Sequence, residues 1–224
     1  MRLIKFILKF IIVVLIILLV VGGVLFFLMT RNTYDERYNV GESTEVISKS
    51  ILSAASGTEV EISQDEINGF LTHIIKESNN KEVGEIKNIY INLCEEENRA
   101  NIYMRCIVKG IEFHITSQDE ITFNAEDRRF CINVNEMKVG KLKVSPNMLG
   151  HFIKNDEKNI IEVNRSKIYI SYDAIKNNLY NGEGLNVDSF KIINNKVYLK
   201  CSDIGSIISK GIKYGINIIG NLLN

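Results

Sequence analysis

The chain reads as an α+β protein carried on a membrane helix, and three observations predict this. Residues Phe10 to Met29, FIIVVLIILLVVGGVLFFLM, are 20 consecutive residues without a charge. Between residues 86 and 201 apolar side chains recur at every second position over several segments, the period of half-buried strands. The stretches 63–76 and 203–223 instead repeat apolar residues at helical spacing.

The uncharged run matches the thickness of a bilayer's hydrocarbon layer, about 30 Å, at the helical rise per residue. It is longer than the apolar core of a signal peptide, roughly 7–15 residues, and TRNTYDERYN after it offers no small-x-small cleavage site. Arg2, Lys5 and Lys9 precede it with no acid among them, whereas Arg31 and Arg37 after it are accompanied by Asp35 and Glu36. Residues 1–9 are therefore expected to stay in the cytoplasm, 10–29 to span the cell membrane once, and about 195 residues to lie outside.

Of the 224 residues, those beyond the span suffice for one domain with a sizeable core. Setting aside Arg2, Lys5 and Lys9 leaves 24 basic residues against 27 acidic ones. Binding to nucleic acid needs clustered basic side chains, so no nucleic-acid partner is expected. Cys94, Cys106, Cys131 and Cys201 are widely spaced and form no C-x-x-C pair, which argues against a zinc or redox motif. Cys94, Cys106 and Cys131 fall in strand-like runs, where buried free thiols are expected.

Residues 30–58 read as a stalk, with Val46, Ile47, Ile51, Ala54 and Ala55 on one side of a short helix that Gly57 stops. The domain proper is expected over 59–202. It opens on EISQDEINGFLTHIIKE, where Ser63 and Glu66 have capping-box spacing and Ile62 and Ile67 that of a hydrophobic staple. Ile67, Phe70, Leu71, Ile74 and Ile75 then share a helical face. Asp65 and Glu66 thus serve the positive end of a helix dipole, and His73 falls off the apolar stripe as a solvated residue.

Strands follow. Ile89, Ile91 and Leu93 share a face, as do Ile102, Met104, Cys106 and Val108; at Gly110 the pattern breaks and resumes with Ile111, Phe113 and Ile115, which reads as a bend in one very long strand. Ile121 and Phe123, then Phe130, Ile132 and Val134, continue the sheet. Ser145 and Pro146 start a short helix that buries Leu149, Phe152 and Ile153. Residues 160–179 read as a strand with Ile168 and Ile170 passing into a helical turn, and Asn194–Asn195 turns a last hairpin. The tail 203–224 carries Ile204, Ile207, Ile208, Ile212, Ile216, Ile218, Ile219, Leu222 and Leu223 on one half of a helix, with Lys210 and Lys213 opposite. It is expected to rest on the domain or on the bilayer surface.

No G-x-S-x-G, H-E-x-x-H, P-loop or G-x-G-x-x-G occurs, and His73, His114 and His151 lie on three different elements, His114 at a solvent-facing strand position. No enzyme, catalytic residue, metal site or cofactor is expected.

The order of parts (basic flank, span, stalk, SQDEIN helix, long strands, VGKLKVSPNMLGHFIK, VNRSKIYISYDAIK, final hairpin) resembles the YpmS family of membrane-anchored proteins of Gram-positive bacteria over roughly residues 60–200. Glu66, Ile67 and Asn68 also stand where the short E-L-N signature of SMP-like, tubular lipid-binding (TULIP) proteins would fall. This resemblance implies a long, curved antiparallel sheet wrapped around the amphipathic helix, with lipid held in an apolar groove between them. Ile67, Phe70, Leu71, Ile74, Met104, Val108, Phe113 and Phe123 are the candidate lining. The competing expectation is an interaction module that docks an envelope protein during wall assembly, division or sporulation.

Overall fold

The computed structural model describes residues 2–33, 35–77, 85–149, 160–174 and 184–203, with side chains in the first helix described from Val14 onward. That helix, α1, covers Arg2–Thr30. Among the described residues no helix is long and apolar enough to cross a membrane.

After a 3-10 turn at Glu36–Tyr38 come α2 (Glu45–Ser56), β1 (Val60–Ser63) and α3 (Gln64–Glu77). The strands β2 (Glu85–Leu93), β3 (Arg99–Val108), β4 (Ile111–Asn124), β5 (Arg129–Val139) and β6 (Leu142–Val144) follow. A 3-10 turn at Pro146–Met148 precedes β7 (Ile161–Asn164), β8 (Lys167–Ser171), β9 (Asn186–Ile193) and β10 (Lys196–Ser202). Seven strands form one sheet in the order β2-β3-β4-β5-β8-β7, with β6 on β5, and β1-β10-β9 form a second; every pairing is antiparallel.

The expected long strand with a bend at Gly110 is instead a hairpin. Lys109 and Gly110 both take positive φ, 50° and 79°, and Val108 pairs directly with Ile111. Two consecutive left-handed residues make the tight turn whose twist suits a hairpin, and Lys-Gly is a weaker signal for it than Asn-Gly. Residues 160–171 likewise fold into a hairpin around Arg165 (φ 55°) where a single strand was expected. The expected hairpin at Asn194–Asn195 is present, with φ of 51° and 62°.

Period-2 alternation gives the large sheet one apolar and one polar face. At the end carrying the β2–β3 and β4–β5 turns, the second sheet covers the apolar face. Ile62, Val187, Ile192, Val197, Leu199 and Cys201 bury themselves there against Leu93, Ala100 and Ile121. Phe130 meets Phe190 edge-on at 5.3 Å and Phe123 at 4.8 Å. Toward β7, Val134, Met137 and Leu149 form a smaller cluster.

α3 begins as the spacing predicts. Ser63 N–H donates to Glu66 Oε2 at 2.7 Å and Glu66 N–H to Ser63 Oγ at 3.3 Å, the reciprocal capping box. The helix lies along the free edge of β2, however, and does not sit in the hollow of the sheet. Its buried positions are Asn68 and Gly69, while Phe70 and Leu71 are half-buried and Ile74 is exposed. Gly69 is buried because residues 41–43 cross it: a Cβ there would stand 2.6 Å from the Ser43 Cβ.

Residues 30–58, expected as a stalk, are packed on the domain. α2 rests against β10 and β1, stopped by Gly57 at φ 69°. Buried Ser53 accepts the Cys201 N–H at 3.0 Å. Tyr38 stacks on Tyr103 at 4.3 Å between ring centres and accepts the Asn88 side-chain amide at its carbonyl, 2.7 Å away. This crossing explains a second correction: His114, expected in solvent, is 4% exposed. Its strand position does face the polar side, but Thr33 and Tyr38 lie over that side. The 3-10 turn at Pro146 has no side-chain cap from Ser145, and Phe152, Ile153 and the tail 204–224 fall outside the described residues.

Candidate lipid-facing site

Among the described residues, the half of the large sheet's apolar face that the second sheet does not cover is the end carrying the β3–β4 turn. There Met104 pairs with Ile115, Cys106 with Phe113 and Val108 with Ile111, so all six project from one face. β2 adds Ile89 opposite Met104 and Ile86 opposite Cys106. Cys106 is buried and Met104 and Phe113 are half-buried, whereas Val108 is 38%, Ile111 37% and Ile86 42% exposed. Ile74 reaches the same end, because α3 runs antiparallel to β2 with Gln64 at Leu93 and Asn68 at Ile91.

Of the eight residues expected to line a groove, Met104, Val108 and Phe113 come together here, with Ile74 at the margin. Ile67 and Phe123 pack against the closed core under the second sheet, and Phe70 and Leu71 stay half-buried on the edge helix. Ile111, exposed, and Cys106, buried on the same face between Met104 and Val108, were missed as lining. The signal was available: with Lys109–Gly110 as a two-residue turn, the two alternating runs fall on one face.

One acid sits on this largely apolar face, two positions along β4 from Ser117. Asp119 lies opposite Ala100 and Val134, is 2% exposed, and accepts Ser117 O–H at 2.6 Å on one oxygen. Its other oxygen has no partner. Burial pushes its carboxyl up to about 6 against the pull of Ser117. The sequence gives no warning of this, since Asp119 sits in a polar-looking SQDE whose alternation becomes decisive only when β4 is one unbroken strand.

On the polar face, Glu112 bridges Arg105 (2.9 Å) and His114 (2.9 Å). The Arg105 hydrogen bond, assisted by His114, holds its carboxyl below the usual range. The cavity beside them, lined by Thr33, Tyr103, His114 and Thr116, measures about 10 Å³, room for a single water. Thr33 Oγ1 is buried without a protein partner at its edge. At the start of α3, Glu66 meets Lys49 at 2.6 Å; burial raises its carboxyl, but the Lys49 hydrogen bond and the Ser63 N–H outweigh it and bring it down to about 2. Asp65 is exposed and His73 lies 3.4 Å from Glu42.

All four cysteines are free thiols. Burial raises Cys106 and Cys201, the latter to about 11, which makes both poor nucleophiles. Among the described residues no cluster of His, Cys, Asp and Glu could hold a metal ion.

The class these features define is an α+β protein of two antiparallel sheets, the larger half-covered, following a long apolar helix. No family model, curated protein or solved structure matches the chain.

Proposed function

We propose that this is a membrane-anchored, non-enzymatic protein of the cell envelope whose domain, on the outer side, holds lipid acyl chain against the uncovered half of the large sheet's apolar face. One observation carries the reading. The same sheet face is sealed by a second sheet at one end and left with Val108 and Ile111 more than a third exposed at the other. Concave or uncovered apolar surface of this kind is where an acyl chain gains contact without losing hydrogen bonds. The 20-residue uncharged run and the basic residues before it support anchoring with the N-terminus inside. The resemblance to the YpmS family and to SMP-like proteins points the same way.

The test is photocrosslinking of the full chain in vesicles of phospholipid bearing a diazirine within one acyl chain, with adducts mapped by mass spectrometry. Adducts between Met104 and Phe113 are expected in addition to those on α1. Adducts confined to α1 would overturn lipid holding by the domain.

A further inference from the structure

We infer that the domain lies directly on the bilayer, with the β3–β4 tip, Val108 to Ile111, as a second contact with the outer-leaflet lipid beside the helical anchor. The inference rests on the proposed anchoring by α1 and concerns which end of the domain meets the membrane.

The first observation is a rigid joint. Lys141 N–H donates to the carbonyl of Leu28 at 2.9 Å, and Gly140 N–H donates to His114 O at 2.7 Å. Gly140 takes φ 58°, and a Cβ on it would collide with the Leu28 carbonyl. The last turn of the apolar run is thus fastened to the β5–β6 turn with no intervening stalk, and Val14 to Phe27 stand exposed away from the domain. If Leu28 and Met29 end the span, Gly140 and Lys141 are at headgroup level.

Strand direction then places the tip. β3 and β5 run the same way, so the β3–β4 and β5–β6 turns share one end of the sheet. From His114, level with Gly140, β4 continues to Ile111, about 10 Å of strand.

Independent of the joint, the two ends differ in chemistry. The turn residues at the α1 end include exposed Lys109 and Lys141, flanked by exposed Val108 and Ile111. The turns at the opposite end expose Glu95, Glu96, Glu97, Glu126 and Asp127. An anionic leaflet attracts the first end and repels the second, and the apolar pair gains by leaving water at the interface.

The chain contains no tryptophan, so single tryptophan variants report one site each. In vesicles of phosphatidylcholine and phosphatidylglycerol with brominated acyl chains, full-length Ile111→Trp is expected to lose most of its emission and shift to the blue. Glu126→Trp, at the far end, is expected to keep the emission it shows in unbrominated vesicles. Phe27→Trp reports the anchor itself. Quenching of Phe27→Trp with Ile111→Trp as bright as Glu126→Trp would overturn the tip contact and leave the anchor standing. An unquenched Phe27→Trp would overturn both. Should Ile111→Trp fail to fold, Val108→Trp on the partner strand replaces it, with the same expected and overturning results.

Discussion

The side chain of Asn68 serves as a strand partner for Ile91. Its Nδ2 donates to the Ile91 carbonyl at 2.8 Å and its Oδ1 accepts the Ile91 N–H at 2.7 Å. β2 is the edge of the large sheet, and an edge strand otherwise presents unpaired main-chain groups. Gln64 completes the cover by accepting the Leu93 N–H at 2.8 Å. Helix α3 therefore closes the sheet edge with amide side chains rather than with an apolar face.

Asn68→Leu is expected to lower the stability of the full chain by about 2–3 kcal/mol, because two main-chain groups lose their partners where water has poor access. Urea unfolding in detergent micelles measures it. A variant as stable as the natural chain would show that the amide is dispensable.

Gly140→Ala is expected to loosen the joint between α1 and the sheet. A left-handed alanine costs about 1 kcal/mol, and its Cβ would press on the Leu28 carbonyl. Thr33 and Tyr38, which cover His114, would then move away from the sheet. Trypsin should cut after Arg31 or Arg37 faster than in the natural chain, and equal rates would count against a rigid joint.

Asp119 makes stability fall as pH rises. Its carboxyl is raised from 3.8 to about 6 in the folded state, so the folded chain holds the proton that the unfolded chain releases first. Between about pH 4 and 6 the unfolded state gains ground, by about 2–3 kcal/mol in all, and above that the penalty is constant. Asp119→Asn is expected to flatten this slope and to be the more stable form at pH 7.5. Parallel pH profiles for the two chains would refute the assignment.

Ser53 joins α2 to the second sheet where β9 and β10 shift register between Lys200 and Cys201. Its hydroxyl accepts the Cys201 N–H and donates to Thr58 O at 2.6 Å. Ser53→Ala is expected to cost about 1–3 kcal/mol, the penalty of an unpaired buried N–H. Val46→Ala, which trims a partly buried contact without orphaning a polar group, should cost less; the reverse order in thermal unfolding would contradict the account.

Local chemistry was legible where neighbours in sequence decide the outcome. The Ser63–Glu66 capping box, the Gly57 stop, the Asn194–Asn195 hairpin and the alternation of β2 to β5 all depend on residues a few positions apart, and the α+β class follows from them. What only the tertiary structure decided were the relationships between distant segments. An apolar stripe on α3 says that one face is sheltered, yet the edge hydrogen bonds of Asn68 turned the helix so that Ile74 stayed exposed. His114 was assigned to solvent because alternation identifies a face and cannot name what crosses it; residues 33 and 38, some eighty positions earlier, cover it. The buried carboxylate of Asp119 and the fastening of Lys141 to Leu28 have the same origin, since desolvation and main-chain pairing across the fold depend on which surfaces meet in space.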